Sequence, residues 1–341
     1  MNEYALSAAQ TRKAPVRRRP RLLEFATLII SLIVAVPLIA IVWIAFSAGT
    51  EDLVHLANTV LPRSLGRTLA LLALISLATA VTGILTAWLT VTFDFPLRKL
   101  LSVALVLPLA MPTYLAAYAD TEFFDYSGPL QSGIRALFGF KTPRDYWFPD
   151  IRTLYGAVFV MGAVLYPYVY LSCRSMFLLQ GRSAADVART LGASPLKVFF
   201  TVQLPMARPA IAAGLILVMM ETLNDIGAVE YLGVNTLTFA IYDTWLNRGS
   251  LGGAAQIAAV MLVFVGLLIL LERHARRRQR FTGTKSTSIV HSAARIPIKG
   301  WKKYTATIFC ICPVAAGFLV PGGVLAGYAS RRLESLLSAE L

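Results

Sequence analysis

Leu22 to Phe46 is a run of 25 residues that carries one charge, Glu24. As a helix, a run of that length extends about 37 Å, enough to cross about 30 Å of hydrocarbon. It exceeds the roughly 7–15-residue core of a cleaved signal peptide, so it reads as a retained span. Six further runs follow, at Leu69–Val91, Leu100–Ala119, Leu154–Leu179, Pro209–Leu232, Ala254–Leu271 and Tyr304–Tyr328. A soluble core of this size is cut into shorter amphipathic pieces. Composition agrees: 57% of residues are hydrophobic and 15% charged, against about 45–50% and 25% in soluble domains. The expected fold class is all-α, a polytopic transmembrane helical bundle of about seven spans.

Thirty-two Lys and Arg against eighteen Asp and Glu leave a net charge of +14. In a soluble protein that balance points to nucleic acid. Here the basic residues flank apolar spans, and their distribution carries orientation instead. With a cytoplasmic N-terminus, 23 of the 32 fall in inner segments, as the positive-inside rule requires. The seventh span then ends outside, with Arg331 and Arg332 stranded there. Cys173, Cys310 and Cys312 make no disulfide framework. His55, His274 and His291 have no partner at ligand spacing, so no tight metal site is expected. No span carries a His that could serve a nucleophile, and Asp225 has no second intramembrane Asp, which argues against an intramembrane enzyme. The phosphate-binding pattern G-x-x-x-x-G-K-[ST] is absent from the sequence, so any ATP chemistry belongs to another chain.

Two loops are long. The outer one, from Asp120 to Arg152, is rich in aromatic residues and serves either as an interfacial belt or as a docking surface for an extracytoplasmic partner. The inner one, 180–208, has local order. Ser183-Ala-Ala-Asp186 is a capping-box pattern, and Asp186 suits the positive end of a helix dipole. Gly192 stands where a left-handed residue ends a helix. Ser194 and Pro195 restart it as cap and first helical residue. Leu196, Phe199 and Phe200 form an apolar face, and Pro205 and Pro209 are expected to break the chain before span five. Two short amphipathic helices joined by a glycine elbow result, which by itself also fits a surface helix padding the membrane.

The spacing Asp186-Val-Ala188, then Gly192, then Val202-Gln-Leu204-Pro205 resembles the cytoplasmic signature of binding-protein-dependent ABC importer permeases: Glu-Ala-Ala, three residues, Gly, nine residues, Ile-x-Leu-Pro. Asp186, Val187 and Val202 replace Glu, Ala and Ile. Met111-Pro-Thr-Tyr-Leu-Ala-Ala-Tyr118, Tyr166-Pro-Tyr-Val-Tyr170 and Met220-Glu-Thr-Leu-Asn-Asp-Ile-Gly227 look like the ferric-iron subfamily of these permeases. The resemblance implies the type I importer permease fold, a multi-pass protein of the bacterial inner membrane. It implies a six-span module over 22–272 after a basic N-terminus (1–21), then a basic linker (273–303). Residues 304–341 form the first span of an incomplete second module, since Val320-Pro-Gly-Gly-Val324 is similar to Val36-Pro-Leu-Ile-Ala40. Asp186, Ala188, Gly192, Leu204 and Pro205 then form the loop that seats on a separate ATPase dimer, which holds ATP and Mg. This chain needs no cofactor of its own. An extracytoplasmic binding protein and a second permease module, from a homodimer or a separate chain, complete the set. The alternatives are an inactive or regulatory truncated fragment, and an importer of another small ion such as sulfate.

Glu221, Asn224 and Asp225 interrupt span five. At about 100° per residue, Asp225 lies about 40° from Glu221 and Asn224 about 60° on the other side, so a continuous helix places all three on one face. Glu221 falls roughly 18 Å beyond Pro209, near mid-membrane, where ionisable groups face a cavity or a partner. They either cap a break in the span or line the translocation pathway. Tyr166, Tyr168 and Tyr170 read as packing residues of span four.

Overall fold

The computed structural model of the chain describes residues 21–49, 54, 56–179, 188, 191–277 and 295–339. The N-terminal arm, Ser183, Asp186 and most of the linker lie outside them. Among the described residues, six helices are long and apolar enough to cross a membrane, or seven with one bent pair counted as a span.

Helix α1 (Arg21–Ser47) lies at the edge of the bundle, and none of its apolar window is buried. The centre is made by α2 (Val60–Thr92), α6 (Leu154–Leu179) and α7 (Pro195–Asn224). Apolar side chains gain nothing by leaving lipid for protein, so close backbone contact must hold such helices together. Two glycines permit it. A Cβ on Gly83 of α2 would stand 2.8 Å from the Tyr170 backbone nitrogen, and one on Gly214 of α7 would stand 2.8 Å from the Val169 Cα. The Tyr166–Tyr170 stretch of α6 is thus gripped on both sides, and Tyr166 and Tyr170 are fully buried, as expected of packing residues.

The third expected span, Leu100–Ala119, is not a plain helix. Helix α3 (Arg98–Ala104) and a 3₁₀ turn (Leu107–Ala110) lead to a 100° bend before α4 (Thr113–Phe124). Pro112 lacks an N–H and drives Met111 out of the helical region; Met111 sits at φ −92°, ψ 116°. Helix α4 and α5 (Pro129–Phe138) occupy much of the segment read as an outer loop. Beyond α5, the Asp145 carboxylate accepts from the Thr142 and Lys141 amides. Those bonds, with one from the Thr142 hydroxyl, hold its pKa below the usual carboxylate range.

Span five also differs from expectation at both ends. Pro205 and Pro209 do not break it. A π turn over Phe199–Gln203 sends the Leu204 amide back to the Phe199 carbonyl, and the widened turn absorbs the N–H that Pro205 lacks. At the other end the helix stops at Asn224 rather than Leu232. Asp225 turns extended (φ −83°, ψ 93°) and starts α8 (Ile226–Tyr231). Helix α9 (Leu237–Tyr242) and α10 (Leu251–Arg277) follow. The α10 side chain Gln256 donates to the Ala45 and Gly49 carbonyls at 3.4 Å, which ties α1 to the bundle.

The seventh span is seated on the module. It runs as Lys302–Val314, a π turn over Ala315–Leu319, and Val320–Ala339, together α11. Just before it, β2 (Ile296–Pro297) pairs in parallel with β1 (Phe93–Asp94). Thr307 Oγ1 donates to the Pro96 carbonyl at 3.2 Å, Cys310 is fully buried, and Tyr328 Oη donates to Glu122 Oε2 at 2.9 Å.

Candidate functional site: the elbow and the carboxylate face

The elbow takes the form its residues dictate. Gly192 has φ +84°, and the Ala193 amide bonds the Ala188 carbonyl at 3.1 Å. That i+5 to i bond past a left-handed glycine is the Schellman stop, and Ala188 itself is helical. Ser194 then accepts from the Lys197 amide, and Pro195 opens α7. Asp186 lies outside the described residues.

From Pro195 onward one face of α7 turns into the protein. Val198 and Phe199 are buried, and the Phe199 ring lies 4.6 Å from that of Trp88 at the end of α2. Leu204 and Pro205 are half-buried where the π turn ends. The other face is uncovered, with Leu196 60% and Phe200 61% exposed, and Leu191 before the elbow is 83% exposed. Three large exposed apolar side chains around one rigid elbow make a surface suited to a protein partner.

Glu221, Asn224 and Asp225 do not share one face, because the helix ends between the second and the third. Glu221 and Asn224 are exposed on α7. Glu221 Oε1 accepts from Tyr168 Oη at 3.3 Å, so one tyrosine read as packing reaches a carboxylate instead. Asp225 Oδ1 accepts from the Ala228 amide at 2.9 Å, the usual work of an Asp N-cap. The break in span five is thus capped by Asp225, and the side chain that pairs with Glu221 is Tyr168. Among the described residues, no three His, Cys, Asp or Glu side chains gather around one point.

Two charged positions were missed by the sequence reading. Arg98 is 9% exposed; it donates to Asp94 Oδ1 at 3.3 Å and to the Thr90 carbonyl at 3.2 Å, locking α3 to the end of α2. The i,i+4 spacing of Asp94 and Arg98 was the available signal. Asp120 is 1% exposed with no hydrogen-bond partner for either oxygen among the described residues. No local pattern distinguishes it from a loop carboxylate.

The sequence profile of the family described as binding-protein-dependent transport system inner membrane component matches residues 79–281. PhnU of Salmonella choleraesuis, named as a 2-aminoethylphosphonate transport system permease protein, is 29% identical over 245 residues, 70% of this chain and 82% of PhnU. FbpB 2 of Haemophilus influenzae, named as an Fe(3+)-transport system permease protein, is 23% identical over 264 residues, 77% of this chain but 47% of that protein. A solved bacterial ABC transporter that imports the polysaccharide alginate shares the fold, with a TM-score of 0.61 at 18% identity over 75% of this chain and 96% of that one. The matched residues take in the elbow, the α6–α7 grip and Glu221, and end before α11. The chain belongs to the family of binding-protein-dependent transport system inner membrane components.

Proposed function

We propose that the chain is the membrane-spanning permease subunit of an ATP-driven importer in a bacterial inner membrane. Its N-terminus is cytoplasmic, and its cargo is ferric iron delivered by an extracytoplasmic binding protein. One observation carries this reading: the elbow and the carboxylate stand on the same rod. Helix α7 runs without interruption from Pro195 to Asn224, so a push on Leu196 and Phe200 is delivered about 32–38 Å away at Glu221. A floppy loop would dissipate that push. The grip of Gly83 and Gly214 on α6 forces the helices to move as a unit. The partner at the elbow is an ATPase dimer holding ATP and Mg. A second permease module, from another copy or another chain, supplies the opposite wall of the pathway.

The iron reading is supported by the oxygen donors Glu221 and Tyr168, which suit a hard trivalent cation better than sulfur does. Two oxygens form a weak site, which an importer needs in order to release its cargo. A second reading, a small oxyanion such as sulfate or 2-aminoethylphosphonate, is favoured by the coverage of PhnU, 82% against 47% for FbpB 2. Proteoliposomes carrying the chain, its ATPase and its binding protein separate the two. ATP-dependent uptake of labelled ferric iron, and none of sulfate or 2-aminoethylphosphonate, is expected. Oxyanion uptake in its place transfers the assignment to the second reading. No uptake of any of them, with no co-purifying ATPase, leaves an inactive fragment.

A further inference from the structure

A groove of about 700 Å³ opens between α11 and the turn joining α4 to α5. It lies outside the residues matched by the family profile for most of its α11 wall, and neither the elbow nor Glu221 borders it. Its position along α11 is informative. Counting from Lys303 at about 1.5 Å per residue, Leu319 stands about 24 Å up, Gly323 about 30 Å and Arg331 about 42 Å. With Lys303 at one membrane surface, the hydrocarbon of about 30 Å ends near Gly323. The groove straddles that boundary.

The two ends of the groove differ accordingly. Below the boundary its α11 wall is Leu319 and Val320, with Gly323 leaving the depth open, and Phe123 lines the facing side. Above it stand Glu122 and Arg331, of opposite charge. Among the described residues they form no ion pair with each other. Glu122 uses Oε2 to accept from Tyr328, and its other oxygen takes no hydrogen bond among the described residues. The Tyr118 and Tyr328 rings, 6.2 Å apart, lie beside it. A guanidinium matches a phosphate fork to fork. A carboxylate flanked by tyrosine rings matches an ammonium. Apolar walls of this size hold part of an acyl chain.

We propose that this groove seats one zwitterionic phospholipid with a primary-amine headgroup: phosphate on Arg331, ammonium on Glu122, and an acyl chain along Leu319 and Val320. The lipid cements α11 to the bent α4–α5 pair, so the seventh span is held by membrane lipid as well as by protein. The proposal rests on α11 crossing the membrane and is independent of the cargo.

Native mass spectrometry of the purified full chain, released from nanodiscs of equimolar phosphatidylethanolamine, phosphatidylcholine and phosphatidylglycerol, tests it. One retained phosphatidylethanolamine is expected, preferred about tenfold over phosphatidylcholine, whose methyls remove the N–H donors. Arg331→Gln is expected to lower its retention about tenfold. Glu122→Gln is expected to abolish the preference over phosphatidylcholine while keeping a bound lipid. Gly323→Phe, which fills the groove, is expected to remove lipid of every headgroup. If that variant does not fold, the two charge variants still decide. Equal retention of the three lipids, or wild-type retention in both charge variants, overturns the proposal. So does displacement by soluble phosphoethanolamine, since the acyl chain would then contribute nothing.

Discussion

At the scale of single residues, Gly192 and Glu221 make separable predictions. A Cβ on Gly192 meets nothing within 4 Å, so any effect of substitution is conformational. At φ +84° a β-branched residue is strained by about 1–2 kcal/mol, whereas Asn tolerates the left-handed region. Gly192→Val is therefore expected to reach the membrane in normal amount yet to co-purify several-fold less ATPase, and Gly192→Asn to co-purify nearly as much as wild type. Equal recovery with Val and wild type would show that the elbow does not set the docking surface. Glu221→Gln keeps an oxygen for the Tyr168 hydroxyl, so folding and ATPase recovery should persist while uptake falls at least tenfold. Unchanged uptake removes Glu221 from the pathway. Asp225→Asn retains the cap, since Asn serves as well as Asp, and is expected to transport normally.

At the scale of elements, stability lies in the approach of α2, α6 and α7. Gly214→Val puts a side chain where even the Cβ comes 2.8 Å from the Val169 Cα. The α6 backbone cannot yield as a side chain would, so the helices must separate. A loss of about 1–3 kcal/mol is expected, read as a lower thermal midpoint in detergent; an unchanged midpoint would mean that α7 is not held there. Elements also show where local sequence was ambiguous. Pro112 bends its span by 100°, while Pro205 and Pro209 leave α7 unbroken. The difference lies in the backbone available: Phe199 anchored on Trp88 holds the π turn that accommodates Pro205, whereas Pro112 follows a Met111 that is already extended.

At the scale of the whole molecule, the proposed function gives each elbow one ATPase contact and places the pathway between two modules. Transport is expected only when two modules assemble, either two copies of this chain or this chain with a second half. Cross-linking in native membranes, paired with uptake assays, measures this; ATP-dependent uptake by a demonstrably single copy would refute it. Orientation is tested separately, with an impermeant thiol reagent on single cysteines at Ser132 and Lys285. Position 132 is expected to react from outside intact cells and position 285 to stay silent. Labelling at 285 would invert the topology.

What the sequence settled by itself is what short-range chemistry decides. Apolar run length required spans, because an unpaired backbone in hydrocarbon is too costly to leave. The spacing of Gly192, Ser194 and Pro195 required an elbow, because helix stops and starts are governed by a handful of neighbouring groups. Glu221 was legible as unusual, since a carboxylate at mid-membrane needs a reason. Its partner was not: Tyr168 is 53 residues away, and only the packing of α6 on α7 brings the phenol to the carboxylate. Asp225 looked equivalent to Glu221 until the helix ended before it. Whether a helix continues or breaks at a polar residue turns on what its freed amides can bond, here the Asp225 carboxylate with the Ala228 amide. The burial of Asp120 and the seating of α11 against Glu122 likewise join parts of the chain far apart in sequence, where no local pattern records the contact.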